Sequence, residues 1–281
     1  MTIAITGASG QLGRLVIEQL AKHDAQEDVI ALVRSPEKVS DLGIEAREFD
    51  YSKPDLLANA LSGVDTLLLI SSSEIGQRAA QHKNVIDAAA RAKVSRIVYT
   101  SILRAGTTDN PLADEHKVTE TMLQSSGIAT TILRNGWYCE NYAQSIAGAL
   151  EHGAVIGSAE DGKISAAARV DYAEAAAIAL TESGHDGAIY ELAGDTAFTM
   201  GELAEELSRQ SGKTIPYVNM PEADYAAALG NAGLPEPFAA LLARVDVTVA
   251  GGSLFDDGQQ LSALIRRPTT PISETIAKVI S

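Results

Sequence analysis

Hydrophobic and polar positions follow two periods along the first half of the chain. Short unbroken apolar runs, such as Ile3-Ala4-Ile5 and Val29-Ile30-Ala31-Leu32-Val33, precede stretches where apolar residues recur every three or four positions. An unbroken run of this kind suits a strand buried on both faces, and the longer period suits an amphipathic helix. The pattern predicts strands over 3–6, 29–33, 46–49, 66–70, 96–100 and 130–133. It predicts helices over 11–23, 55–61, 76–92 and 114–125, with Gly63, Gly127 and the Lys93-Val94 junction as helix exits. Strands alternating with helices on short connectors predict a parallel sheet with helices on both faces.

The rhythm changes after Arg134. Residues 135–151 read as a loop and an Ala-rich helix, 153–162 as a Gly-rich stretch, 170–181 as a helix and 188–192 as a late strand. From Phe198 onward the pattern is mostly helical, crossed by Pro216, Pro221, Pro235 and Pro237. The expected architecture is a doubly wound α/β core of Rossmann type with a smaller, mostly helical C-terminal lobe. The core is expected over 1–134, with 170–193 returning to it, and the lobe over 135–169 and 194–281.

Directly behind the first predicted strand stands Gly7-Ala8-Ser9-Gly10-Gln11-Leu12-Gly13, leading into a helix with Leu12, Leu15, Val16 and Leu20 on its apolar face. In such a turn the first glycine permits the tight bend and the second lets backbone approach a ligand. The third lets the helix pack on the sheet, while the free N–H groups of its first turn face an anion. Three glycines alone carry little weight. The strand before them and the helix after them make the pyrophosphate of a dinucleotide the expected ligand.

Composition narrows the partners. With 37 acidic against 22 basic side chains and a formal charge of -15, the chain lacks the positive footprint that nucleic acid or an anionic membrane demands. One cysteine, Cys139, excludes an internal disulfide framework and fits a reducing compartment. No apolar run reaches membrane-spanning length and no charged-then-apolar signal opens the chain, so a cytoplasmic protein without membrane contact is expected. His23, His82, His152 and His185 lie far apart, without cysteine partners at zinc spacing, and no metal is expected. His82 reads as a surface residue of its helix before it reads as one facing a cleft. Glu202, Glu205 and Glu206 read as a solvated helix face, and no Gly-x-Ser-x-Gly elbow supports hydrolase chemistry. The sequence leaves a homodimer open.

The end of the second predicted strand selects the cofactor. NAD sites place Asp or Glu there for the adenosine ribose, whereas this chain places Arg34, followed by Ser35 and Lys38. A guanidinium suits a 2′-phosphate and stacks on adenine, so NADP(H) is preferred over NAD(H). Asp50-Tyr51 falls where a base-edge contact belongs, or is simply a helix-initiating turn. Ser71, Ser72 and Ser73 follow the fourth strand at the carboxyl edge, where ligands collect. They line the cofactor channel, cap the next helix, or do both.

These residues carry a family resemblance. Gly7–Gly13, Arg34, the phrase from Leu69 to Arg78, the phrase from Leu133 to Tyr138, and Leu254-Phe255-Asp256-Asp257 resemble the NmrA-like atypical short-chain dehydrogenases/reductases. Within that family the chain is most similar to the bacterial NADPH-dependent quinone oxidoreductases of type 2, and more distantly to triphenylmethane reductase. The resemblance implies that Gly7, Ala8, Ser9, Gly10, Gln11, Leu12 and Gly13 hold the pyrophosphate and Arg34 the 2′-phosphate. It implies that Ser73 and the stretch Asn135, Gly136, Trp137, Tyr138, Cys139 and Glu140 lie along the nicotinamide half, with Arg169 closing the site. The implied reaction passes reducing equivalents from NADPH to a quinone without flavin.

The chain departs from ordinary short-chain dehydrogenases in one respect. Those enzymes carry Tyr-x-x-x-Lys on the helix after the fifth strand and a serine at that strand's end. Here Ser101 stands at the strand end, but the helix offers His116 and Glu120 one turn apart, with Lys117 off that face. Without a lowered-pKa tyrosine, an alcohol substrate lacks its base. A quinone asks less: it is electrophilic, and its reduced oxygen takes a proton from water or a nearby donor. His116 and Tyr138 are the candidate donors, Ser101 a weaker third, and Trp137 and Tyr138 wall an aromatic substrate or serve as packing. His116 also reads as a partly exposed helix histidine, and Cys139 as a buried neighbour. Two functions are expected in turn: a flavin-free NADPH:quinone reductase, or a non-enzymatic NADP(H) sensor of NmrA type.

Overall fold

A computed structural model of the chain describes residues 1–22 and 29–281; His23, where the sequence pattern ends the first helix, lies outside the described residues. The first strands are Ile3–Thr6 (β1), Val29–Val33 (β2), Glu45–Glu48 (β3) and Thr66–Leu69 (β4), followed by Arg96–Ile102 (β5) and Ala129–Asn135 (β6). Val155–Gly157 (β7) lies apart, and Ile189–Leu192 (β8) rejoins the main sheet, whose order is β3-β2-β1-β4-β5-β6-β8. The pairs β1–β2, β2–β3, β1–β4, β4–β5 and β5–β6 are all parallel. β1, β2 and β4 are buried along their whole length, which is why their sequences run apolar without alternation. β3 is an edge strand, and its Glu-Ala-Arg-Glu sequence keeps that edge polar against pairing with other chains.

The intervening helices are Gln11–Lys22 (α1), Pro54–Ala60 (α2), Arg78–Ala92 (α3) and Ala113–Ser125 (α4). Later come Ala143–His152 (α5), Arg169–Thr181 (α6), Met200–Ser211 (α7), Glu222–Asn231 (α8), Glu236–Ala250 (α9), Gln260–Ile265 (α10) and Ile272–Ile280 (α11). α1 turns Leu12, Val16 and Leu20 inward, as its spacing predicts, but it buries Ile17 beside them and leaves Leu15 only half-buried. α3 starts at Arg78 and not at Gly76, because Gly76 has a φ of 85° that no helical residue adopts. It ends where expected, with Lys93 as a left-handed cap at φ 60°. Glu202 is more than a solvated charge: with Thr199 it closes a capping box at the start of α7.

Two short strands escape the sequence pattern. β7 falls in the Gly-rich stretch and pairs in parallel with Tyr217–Asn219 (β9) in the region expected to be helical. Three residues are too few to show a period, and the partner lies far along the chain.

The chain divides into two compact units. The first comprises Met1–Ala105, Asp114–Asn135 and Val170–Tyr190; the second comprises Gly106–Ala113, Gly136–Arg169 and Glu191–Ser281. Each has its own apolar core. In the first, Leu32, Leu57, Leu67, Leu69, Val85 and Tyr99 are central. In the second, Ile146, Val155, Ile164, Leu203, Leu207 and Ile276 are central. Among the described residues no helix is long and apolar enough to cross a membrane.

Candidate functional site

In the first unit a cavity of about 300 Å³ opens at the carboxyl ends of β1, β2 and β4. This is the switch point of the strand order, where doubly wound sheets bind ligands. The glycine turn forms its floor: Gly7, Ser9, Gly10, Gln11, Leu12 and Gly13 line it, while Ala8 is buried beneath. Gly7 has a φ of 60°, and the Gly10 N–H closes the turn on Gly7 O at 2.9 Å. A Cβ on Gly13 would lie 2.5 Å from Gly7 O and 2.7 Å from Ala8 Cα, so side-chain-free backbone is required there. The result is a bare backbone cradle at the N-terminus of a 12-residue helix, which fits a pyrophosphate.

Arg34 stands at the rim, with a side chain 71% exposed. Its Nη1 lies 3.0 Å from Glu74 Oε1, an ion pair that no local pattern announces. A 2′-phosphate on this guanidinium would compete with Glu74 for it. Asp50 and Tyr51 line the same wall. Tyr51, however, donates its hydroxyl to Thr6 Oγ1 at 2.5 Å or Ile70 O at 2.9 Å, and so ties the ends of β1 and β4 together. Burial raises its pKa far above the usual phenol range.

The loop Ser71–Ser73 is clamped from below. Three consecutive amides each find a side-chain acceptor: Ile70 N–H on Thr6 Oγ1, Ser71 N–H on Thr100 Oγ1 and Ser72 N–H on His82 Nε2, all at 2.9 Å. None of these serines caps α3, whose Ncap Gln77 also makes no side-chain cap bond. That task falls to the Glu115 carboxylate, which accepts from Gly76 N–H at 2.9 Å and Ala79 N–H at 3.2 Å. Ser72 Oγ instead donates to Gln81 Oε1 at 2.5 Å.

His82 is fully buried, correcting its reading as a surface residue. Because Nε2 accepts the Ser72 amide, the proton sits on Nδ1, which faces Thr119 Oγ1 at 2.9 Å. Burial, and then the charge of Arg78, push its pKa down to about 3, so it stays neutral. It belongs to a column of rings, Tyr51–His82–Tyr99–His116, with centroids 6.2, 5.5 and 5.9 Å apart. At the column's end His116 is buried, not partly exposed, and its Nδ1 shares a 2.7 Å hydrogen bond with the Tyr99 hydroxyl. Burial, Arg78 and His82 in turn drive its pKa well below the usual histidine value.

Ser101 and Glu120 are also buried. Ser101 Oγ donates to Glu120 Oε1 at 2.6 Å, and Arg134 grips both oxygens through Nε at 3.0 Å and Nη2 at 2.6 Å. The helix position where short-chain dehydrogenases keep a lysine thus holds an anion neutralised from β6.

In the second unit Tyr138, Glu140 and Arg169 form a cluster. The Arg169 guanidinium lies 4.8 Å from the centre of the Tyr138 ring, and the Glu140 carboxylate accepts the Arg169 amide at 2.9 and 3.0 Å. Trp137 packs on the second core, and Cys139 is buried. Asn135 ends β6 in the first unit, and Gly136 begins the second unit's next segment. Sequence reasoning missed Glu74, Gln81, Arg78 and Thr100, each polar and placed by long-range packing that no local pattern announces.

Comparison with known proteins gives a consistent picture. The model of the NmrA-like family matches residues 1–277. Quinone oxidoreductase 2 of Escherichia coli (strain K12) is 54% identical over 282 residues, covering 99% of each chain. The crystal structure of the NADPH-dependent quinone oxidoreductase of Escherichia coli complexed with NADPH superimposes with a TM-score of 0.97 at 54% identity, covering 100% of both chains. Triphenylmethane reductase of Citrobacter sp., complexed with NADP(H), gives 0.93 at 37% identity, covering 99% of this chain and 100% of that one.

Proposed function

That the chain belongs to the NmrA-like family is the premise from which we propose that it is an NADPH-dependent reductase of quinones, acting without flavin in the cytoplasm. The bare glycine cradle with an arginine at its rim carries this reading, in a chain 54% identical to a quinone oxidoreductase. Bound NADPH supplies the hydride. We assign the pyrophosphate to Gly7–Gly13, the 2′-phosphate to Arg34, the adenine side to Asp50, and the ribose region to Ser71–Ser73. Asn135–Glu140 and Arg169 are assigned to the nicotinamide half, and the second unit, through Trp137 and Tyr138, to substrate binding. His116 is held neutral, so it offers a hydrogen bond and not a full positive charge to the reduced oxygen. Tyr138 is the second donor. The proton of Ser101 is engaged by Glu120, which leaves it the least able of the three.

The test is NADPH oxidation by purified, flavin-free protein with a small benzoquinone or naphthoquinone, NADH being run in parallel. Saturable turnover favouring NADPH is expected. Tight NADPH binding without turnover on any quinone would instead mark a sensor.

Arg34→Ala separates the two cofactors. Charge-assisted hydrogen bonds contribute about 1.5–3 kcal/mol, so NADPH should bind roughly 10- to 100-fold more weakly. NADH, lacking the 2′-phosphate, should change by less than about threefold. Calorimetric titration of both cofactors decides it: equal losses would remove Arg34 from the 2′-phosphate.

A further inference from the structure

The cofactor cavity has more acid than base on its walls, although the ligand expected there is a polyanion. Among the described residues that line it, the charged ones are Arg34, Asp50 and Glu74. Asp50 is engaged locally: it accepts the Ser52 N–H at 3.0 Å and lies 3.8 Å from Lys53 Nζ. Glu74 instead takes the cation of that set, with Oε1 3.0 Å from Arg34 Nη1. Its other oxygen accepts from Gln81 Nε2 at 2.8 Å, and its amide donates to Ser72 Oγ at 3.1 Å. Gln81 is itself fixed. It is 5% exposed, accepts from Ser72 Oγ at 2.5 Å and donates to Ser52 Oγ at 3.2 Å. These bonds keep the Glu74 carboxylate at the rim even when Arg34 leaves it.

A 2′-phosphate that takes the Arg34 guanidinium must therefore displace a carboxylate and then remain beside it. We propose that Glu74 is a specificity-determining residue that weakens the grip of Arg34 on the 2′-phosphate, so that NADPH and NADP⁺ are held less tightly than the arginine alone would hold them. The inference rests on the assignment of the 2′-phosphate to Arg34. NADH carries no charge at that position, so it leaves the Arg34–Glu74 pair in place. For NADPH two unfavourable contributions add: the lost ion pair and the repulsion between carboxylate and phosphate. Each is modest, because the side chains are 71% exposed for Arg34 and 46% for Glu74. The oxidised cofactor bears the same phosphate as the reduced one. Glu74 thus loosens both equally and shortens the time that NADP⁺ stays bound after hydride transfer.

The experiment is calorimetric titration of wild type and Glu74→Gln with NADPH, NADP⁺ and NADH at low salt. Gln removes the charge and keeps an oxygen for Gln81 Nε2. The Kd values for NADPH and NADP⁺ should fall by the same factor, about three- to tenfold, while that for NADH stays within about twofold of wild type. Stopped-flow displacement should show the gain as slower dissociation of NADP⁺. The gain should shrink in about 1 M salt, where the Debye length is roughly 3 Å. A Kd for NADPH that falls by less than about threefold overturns the proposal, as does equal tightening of NADH or a gain that salt leaves undiminished. Arg34→Ala, titrated alongside, separates the two possible failures. Equal losses of NADPH and NADH overturn the assignment of the 2′-phosphate to Arg34. A loss selective for NADPH, with Glu74→Gln unchanged from wild type, overturns the role of Glu74 alone.

Discussion

Gly13→Ala should weaken NADPH binding by about 100-fold or more, equivalent to roughly 3 kcal/mol. The added methyl would sit 2.5 Å from Gly7 O, 2.7 Å from Ala8 Cα and 3.0 Å from Gly7 C. All three are backbone atoms, so no side chain can rotate away. Either α1 moves outward from the sheet or the Gly7–Ala8 segment shifts, and both displace the amides we assign to the pyrophosphate. Gly10→Ala is the internal control, because its methyl would meet one atom, Gly7 O, at 3.1 Å. Its loss should be several times smaller. Calorimetric titration of both variants, with circular dichroism to show that they are folded, gives the comparison. Gly13→Ala binding NADPH within about fivefold of wild type would remove the close approach as the reason for that glycine.

The glycine cradle was legible in the sequence because its logic is local: a strand, a turn that needs φ of 60° at Gly7, and a helix that must sit on the turn. The same holds for the sheet, whose buried strands announce themselves as apolar runs. What the sequence could not show is how polar side chains distant along the chain meet. His82 looks like a helix-surface residue until α3 packs beside α4 and presents Thr119 to one ring nitrogen and Ser72 to the other. Ser71–Ser73 look like helix caps because serines before a helix usually are. Here Glu115, some forty residues on, takes the cap and releases the serine loop to its own clamps.

Arg34 shows the boundary between the two kinds of knowledge. Its place at the end of β2 is fixed by strand register alone, with Val33 opposite Glu48. Its pairing with Glu74 follows only from the approach of the β4 loop to the same rim. Motif reasoning supplies the ligand's charge; folding supplies its competitor.

Glu120→Met should cost about 3–5 kcal/mol of stability, the range for removing one partner of a buried ion pair. The side chains are 7% exposed for Glu120 and 17% for Arg134, so solvent cannot replace the lost carboxylate. Arg134 would keep its charge with two of its bonds gone, and Ser101 Oγ would lose its acceptor. The loss includes the cost of leaving Arg134 without this carboxylate as well as the value of the pair, and a second variant separates them. Adding Arg134→Met removes the charge along with its partner, and the double variant should recover most of the stability, since apolar replacement of a buried pair is often near neutral. Urea unfolding of wild type, both single variants and the double variant closes the cycle. Single variants that lose less than about 1 kcal/mol would mean that water reaches the pair and that the anion at the lysine position is not a buried strut.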